Sequence, residues 1–236
     1  MEKEEKEEKL EYLKNVSKDV LILFAMELDL PDILNLCFTE KRIDKNICKN
    51  NSFWFNKLLK DYNIEEEVTE AKERYFLTTK ELEDDPQSVF KQALRDKNLV
   101  LVKKAVKKGA NVLEKRLVLK HNLYPLLESM FFEDDEIFNY LLPLTITDRK
   151  SFFDIWRDLI PVFEYLSSEE KCLILAKLFD ILLPYVIEKK YLKGDKYKVF
   201  WLAALTKIEE VKEDERCPKL KAIYNKRINL YKNEAK

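Results

Sequence analysis

The chain has 236 residues, and 46% of them are hydrophobic, which is enough to bury a substantial core in one large or two small domains. Its 43 basic and 44 acidic residues leave a formal net charge of −1, so no overall positive field attracts nucleic acid. Only two glycines occur, Gly109 and Gly194, which excludes glycine-rich phosphate loops. Leu, Lys, Glu and Ile dominate the composition and predict an all-α fold.

Metal sites, cofactors and membrane spans are not expected. The four cysteines are scattered without a CxxC pair, and His121 is the only histidine. The N-terminus is charged rather than apolar, so no signal peptide is expected. No apolar run reaches the length of about 18 residues that a membrane span needs. We therefore expect free thiols and a cytoplasmic or nucleocytoplasmic protein.

Residues 1–15 form a charged leader that we expect to be helical. Glu2 with Lys6 and Glu5 with Lys9 are pairs of opposite charge four residues apart, which stabilise a helix. A tail that binds a basic partner is the alternative, but mixed charge runs are usually solvated helices.

Residues 16–62 predict three short amphipathic helices. Asp19 is expected to cap the first helix and Asp29 the second, while Asn51 or Ser52 caps the third. Apolar residues recur at helical spacing in each segment. They are Val20, Leu21, Phe24 and Leu28, then Ile33, Leu34, Leu36 and Cys37, and finally Trp54, Leu58 and Tyr62.

The order and spacing of these residues resemble the F-box family. The family's Glu-Ile-Leu, Asp-Leu-x-x-Leu, basic pair and closing Leu-Trp are matched in order by Asp19-Val20-Leu21, by Asp32-Ile33 with Leu36, by Lys41-Arg42 and by Phe53-Trp54. The family's opening Leu-Pro is replaced by Val16-Ser17. In F-boxes that pair contributes to the surface that binds the adaptor, so this departure bears on affinity.

The resemblance implies that this region binds the Skp-type adaptor of a cullin–RING ubiquitin ligase. The contact residues it implies are Val20, Leu21, Phe24, Leu28, Pro31, Ile33 and Trp54. The alternative is a three-helix subdomain whose Trp54 is only part of the core, which is the usual place for a Trp at helical spacing.

Residues 63–87 predict a helical linker that ends near Pro86, because the residue before a proline avoids helical geometry. Residues 88–236 then predict an elongated stack of helical hairpins. The first hairpin resembles an ankyrin repeat, since its second helix is followed by Gly109-Ala110-Asn111, and Gly109 is expected to take a left-handed conformation. An unrelated helical hairpin is the alternative.

A second unit is indicated by Tyr124-Pro125-Leu126, which resembles the ankyrin Thr-Pro-Leu. Ala93 and Ser129 are 36 residues apart, as are Val102 and Phe138, slightly more than the ankyrin period of about 33. In this interpretation the loop between the two units contacts a protein target. Its candidate contact residues are His121, Asn122 and Tyr124.

No family motif is found beyond Pro143. A helix over 151–165 is expected to be interrupted or kinked near Pro161, and a further helix starts at Ser167 and is kinked or broken near Pro184. Two more helices are expected after Gly194.

No residue pattern indicates catalysis. His121 has no neighbouring nucleophile or carboxylate pair, and acid–base chemistry needs a partnered group. The acidic run at 133–136 lacks calcium-loop spacing, and the lysines at 103, 104, 107 and 108 are typical of a solvated helix side.

The sequence therefore predicts a non-enzymatic adaptor, which holds a protein target near a ubiquitin ligase. The alternative is a stand-alone helical interaction module. The degenerate F-box, ankyrin-like units and Lys/Asn/Ile-rich composition resemble proteins of large DNA viruses that infect amoebae, which would imply action on host degradation inside the host cell.

Overall fold

The protein is described by a computed structural model over residues 16–118, 121–131, 134–165, 172, 174–176, 178–188 and 222. This part of the chain is mostly helical, which confirms the main feature of the all-α prediction. The charged leader and the two helices expected after Gly194 lie outside the described residues.

Helices follow one another along the chain with a single short hairpin among the described elements. They are α1 Lys18–Glu27, α2 Leu30–Thr39, α3 Lys41–Asn46, α4 Asn51–Tyr62, α5 Ala71–Asp84, α6 Pro86–Arg95, α7 Leu99–Lys107, β1 Arg116–Val118, β2 His121–Leu123, α8 Pro125–Phe131, α9 Asp135–Thr145, α10 Arg149–Tyr165, a π-helix Leu178–Leu182 and α11 Leu183–Glu188.

The chain divides into two compact units. The first unit contains the described residues up to Phe90 together with Val100–Gly109. The second unit contains Lys91–Leu99 and the described residues from Ala110 onward. The domain boundaries expected from the sequence stay predictions.

Residues 16–62 form four helices where three were predicted, because the short helix α3 lies between α2 and α4. Asp29 caps α2 as predicted, and its carboxylate accepts from the Asp32 N–H. The other two predicted caps are wrong by one or two residues. Ser17 caps α1 and Asn50 caps α4, since the capping residue is the extended residue just before the helix.

The core of the first unit lies between these helices and α5. Trp54 on α4 is fully buried, and its ring centroid lies 5.3 Å from that of Tyr75 on α5. Tyr62, eight residues further along α4, has its ring centroid 5.1 Å from that of the same Tyr75. These ring contacts hold α5 against α4. The remaining fully buried apolar residues include Leu21, Ala25, Ile33, Ile43, Ile47 and Leu58.

The helix boundary predicted near Pro86 is confirmed. Helix α5 ends at Asp84 and α6 begins at Pro86, where the missing proline N–H costs nothing. Gly109, two residues after α7, has a φ of 104°, the positive value expected for a glycine at a helix end.

A β-hairpin follows, which the sequence analysis did not predict. Strands β1 and β2 are antiparallel, with Arg116 opposite Leu123 and Val118 opposite His121. The segment alternates in burial, since Arg116 is buried and Leu117 is exposed, which is the periodicity of a strand. Tertiary burial of alternate residues thus selects strand over helix for this short apolar segment.

The four positions that define the predicted repeat are all buried: Ala93, Val102, Ser129 and Phe138. Their burial is consistent with equivalent positions in two helical repeats, but the arrangement of the helical hairpins as a stack stays a prediction. Further along, α10 continues through Pro161 to Tyr165, so the helix is not interrupted there, and a kink near Pro161 stays a prediction. The π-helix passes directly into α11, which contains Pro184, so the chain has no helix break there, and a kink near Pro184 stays a prediction.

Candidate functional site

Helix α1 presents an apolar face to solvent. Val20, Leu23 and Phe24 are 54%, 67% and 48% exposed, and their spacing of three and four residues places them on one side of the helix. The opposite side is fully buried through Leu21 and Ala25. We call Val20, Leu23 and Phe24 the α1 face.

Both ends of α1 are tied to other helices of the first unit. At its N-terminus, Arg42 donates from Nη1 to the Val16 carbonyl oxygen over 3.1 Å. At its C-terminus, Lys57 and Lys60 of α4 donate to the Met26 carbonyl oxygen over 2.8 and 3.1 Å. Because α1 has no basic residue in its own last turn, these lysines supply the cations that a helix C-terminus favours. The α1 face is therefore held outward.

Lys57 belongs to a buried hydrogen-bonded network between α1, α4 and α5. Its ammonium lies 2.8 Å from Asp61 Oδ2, and the Tyr75 hydroxyl donates to the same oxygen over 2.8 Å. Burial, followed by the hydrogen bond to Asp61, holds the pKa of Tyr75 well above its ordinary value. The three groups satisfy one another, which a buried charge requires.

The seven predicted adaptor contacts divide into two groups. Leu21, Ile33 and Trp54 are fully buried, so they hold the helices together and cannot touch a partner without rearrangement of this region. The other four can reach a partner. Val20, Phe24 and Pro31 are exposed, and Leu28 is half-buried.

Sequence reasoning missed Leu23, the most exposed residue of the α1 face. The sequence did indicate a second apolar side of α1, because the stretch from Val20 to Met26 is apolar at every position. A helix that packs on one side only needs apolar residues on that side alone. Phe38, at 88% exposure, is a second exposed apolar residue and lies on α2.

The predicted target contacts lie at the β-hairpin of the second unit. Asn122 is exposed, and Tyr124 is half-buried beneath Lys115, whose Nζ lies 4.7 Å from the ring centroid. Lys115 also pairs with Asp158 over 2.6 Å, and this hydrogen bond raises the pKa of Lys115. The side chain of His121 lies outside the described part, although its backbone pairs with Val118.

Beneath the hairpin, Arg116 and Glu128 form a buried ion pair. Arg116 Nη1 lies 3.1 Å from Glu128 Oε2 and also donates to the Lys91 carbonyl oxygen over 3.1 Å. Burial raises the pKa of Glu128, although the Arg116 charge opposes this shift. The pair anchors β1 on α8 and fixes the hairpin that carries Asn122.

Among the described residues, no group of three or more His, Cys, Asp or Glu side chains is arranged to hold a metal ion. Within the same residues, no helix has the length and apolar character needed to cross a membrane.

The prediction of free thiols is wrong for Cys37 and Cys48, which form a disulfide between α2 and the turn after α3. Cys172 is also disulfide-bonded, and Cys217 lies outside the described residues. The two helical segments bring together cysteines that are 11 residues apart, which scattered positions in a sequence do not reveal.

No protein-family profile matches the chain, and no curated protein or solved structure is significantly similar to it.

Proposed function

We propose that the protein is a substrate-recruiting adaptor of an SCF-type cullin–RING ubiquitin ligase. In this proposal the α1 face binds a Skp-type adaptor, and the helical repeats predicted for residues 88–236 bind a protein target. The observation that carries the proposal is the exposed apolar face of α1, because Val20 and Phe24 are matched to F-box positions and are available for contact.

The α1 face is suited to binding because apolar side chains on a fixed helix lose little entropy when they are covered. Three side chains and Pro31 are still a small area against the roughly 800 Å² that a standard interface buries on each partner. The partner must therefore also cover neighbouring polar residues of α1 and α2.

The altered F-box opening has a physical explanation within this proposal. Ser17 stands where the family has proline, and its hydroxyl accepts from the Val20 N–H and caps α1. Serine at this position stabilises the N-terminus of α1 but provides less apolar area for contact with the adaptor than the proline of the family. We expect weaker adaptor binding than that of an F-box with Leu-Pro.

On the target side, the β-hairpin follows α6 and α7 in the sequence and precedes α8 and α9, the place where an ankyrin unit has its turn. Asn122 and the exposed Leu117 lie opposite each other in the hairpin register and offer one polar and one apolar contact. Holding the target and ligase on one chain raises the effective concentration of the target. No chemistry and no cofactor are assigned to the chain itself, and a location in the cytoplasm or nucleus follows from the proposal.

The proposal is tested by isothermal titration calorimetry, which measures the affinity of the full chain for a Skp-type adaptor from a eukaryote. The double variant Leu23→Glu/Phe24→Glu places two charges on the α1 face without touching the core. We expect its affinity to fall about 30-fold or more, as for loss of an interface hot spot. The matched control is Leu77→Glu/Leu117→Glu, which puts the same charges on exposed apolar positions elsewhere.

Equal affinity of the two double variants, with unchanged circular dichroism, would remove the α1 face as the binding surface. No binding by the wild-type chain would favour the alternative, a stand-alone helical interaction module. Two features favour that alternative. Val16-Ser17 departs from the F-box opening. The Cys37–Cys48 disulfide is of a kind that is rare in the cytosol, where a Skp-type adaptor would bind.

A further inference from the structure

The Cys37–Cys48 disulfide is the covalent link among the helices of the first unit. Cys37 lies in the last turns of α2, and Cys48 lies in the turn between α3 and α4, with their Cα atoms 6.2 Å apart. The two residues are 8% and 6% exposed, so a small part of each reaches the surface.

The turn that contains Cys48 is held by groups other than the disulfide. The Cys48 carbonyl oxygen accepts from Trp54 Nε1 and from Lys72 Nζ, each over 3.0 Å. The Lys49 N–H donates to the Asp44 carbonyl oxygen over 2.8 Å, which closes the turn after α3. None of these bonds involves a sulfur atom, so we expect them to persist when the sulfur–sulfur bond opens.

The position of Cys37 is likewise set without its sulfur. It belongs to helix α2, which is fixed by Ile33 and Leu36 on the same buried side. Because both backbones are held independently, the two thiols stay opposite each other after reduction. A pair of this kind closes and opens without refolding, and each opening removes one crosslink from the first unit.

We propose that Cys37 and Cys48 are a reversible thiol–disulfide pair, through which a small thiol such as glutathione sets the stability of the first unit. A thiolate of the small molecule attacks one protein sulfur, forms a mixed disulfide and releases the other cysteine as a thiolate. A second small thiol then attacks the mixed disulfide and frees the remaining cysteine. Two electrons pass from two small thiols to the protein disulfide, and the small thiols leave as their own disulfide.

This proposal is independent of the adaptor function, and its test needs no partner. The full chain is equilibrated in buffers with increasing ratios of reduced to oxidised glutathione, then quenched with acid and alkylated. Peptide mass spectrometry reports Cys37 and Cys48 separately from Cys172, which is also disulfide-bonded. We expect both residues to become alkylated together in one step, and to pair with each other again when oxidised glutathione is restored.

Thermal unfolding of the same samples measures the consequence. Closing a loop of this length stabilises a domain of this size enough that reduction should lower the melting temperature by about 10 °C or more. Far-UV circular dichroism at 20 °C should not change, because the helices are held by other contacts.

The variant Cys172→Ala should keep the redox-dependent shift of the Cys37–Cys48 pair. In that background, Cys37→Ala/Cys48→Ala should melt like the reduced Cys172→Ala protein and should show no dependence on glutathione. Loss of helical signal on reduction would make the bond an obligatory crosslink and overturn the proposal. Pairing with another cysteine after reoxidation, or a pair that stays oxidised or reduced in every buffer, would overturn it as well.

Discussion

The two units of the protein each bury an ion pair, and the pairs differ in how their hydrogen bonds are completed. In the first unit, Lys57 bonds Asp61 and the Met26 carbonyl oxygen, and Asp61 also accepts from the Tyr75 hydroxyl. Both charges thus have partners that replace the water lost on burial. This network joins three helices and leaves α1 fixed with its apolar face outward.

In the second unit, Arg116 faces Glu128 over 3.1 Å, but Glu128 Oε2 accepts no hydrogen bond from the described residues. The attraction between the charges remains, and burial still raises the pKa of Glu128. A buried ion pair offsets its desolvation only when further hydrogen bonds satisfy its remaining polar atoms, and the pair in the first unit meets this requirement more fully. Three substitutions test this comparison, and Trp54→Ala tests the packing around the first pair.

The largest effect is expected for Trp54→Ala, which removes the ring on which the first unit is packed. Trp54 is fully buried and contacts Tyr75 and Phe76 through its ring. We expect the free energy of unfolding to fall by about 3–5 kcal/mol, the usual cost of removing a buried aromatic ring. Urea unfolding followed by circular dichroism measures it. Phe38→Ala, at an exposed position, should change little, and an equal loss for both variants would contradict the packing described above.

Lys57→Met should cost about 3 kcal/mol, because removing one partner of a buried ion pair leaves the other uncompensated. The matched control is Lys60→Met, since Lys60 donates to the same Met26 carbonyl oxygen from an exposed position. We expect the control to cost less than about 1 kcal/mol, as surface pairs do. Chemical denaturation measures the free energy of unfolding of both variants. Similar losses would show that the buried Lys57 contributes no more to stability than the exposed Lys60.

Tyr75→Phe should cost about 1 kcal/mol at neutral pH, the net value of one hydrogen bond. The raised pKa of Tyr75 also predicts a pH effect, because the unfolded tyrosine ionises near pH 10 while the folded one stays neutral. The wild type should therefore lose stability as pH rises above about 10. Tyr75→Phe should lose less over the same range in urea unfolding at pH 8 to 11, and parallel curves would contradict the assignment.

The smallest effect is expected for the pH slope of Glu128→Gln. Since burial raises the folded pKa of Glu128, the folded state binds more protons, and stability falls as pH rises from the ordinary pKa of Glu through the raised one. The variant should lack this fall, even though it leaves Arg116 unpaired and is less stable throughout. Urea midpoints between pH 4 and 7 measure the slope. Glu114→Gln, at the more exposed ion pair with Lys91, should keep the wild-type slope.

Local signals in the sequence predicted helix positions and several boundaries. Asp29 acts through a local side-chain hydrogen bond, and Pro86 and Gly109 act through their own backbone conformations. Their roles as cap, helix start and helix end could therefore be predicted from the residues alone. The β-hairpin could not, because Arg116 and Leu123 take strand geometry through burial against distant residues.

The candidate site was predictable only in part. Apolar positions at helical spacing indicated an amphipathic helix, and both Leu21 and Phe24 were predicted as adaptor contacts, without a signal to tell which of them packs in the core. The packed side is set by Leu21 and Ala25, which leaves Phe24 with Leu23 in solvent. Because α1 is apolar at nearly every position, periodicity could not select one side.

The sequence by itself determined the helical class of the protein, since this follows from composition and spacing along the chain. Tertiary structure decided which side of α1 is exposed, the pairing of Cys37 with Cys48, and the network around Lys57. Each of these depends on residues brought together from separate helices, as in the hydrogen bond from Lys57 to Met26 across 31 residues. Packing of that kind depends on how whole helices are placed, which local propensity does not specify.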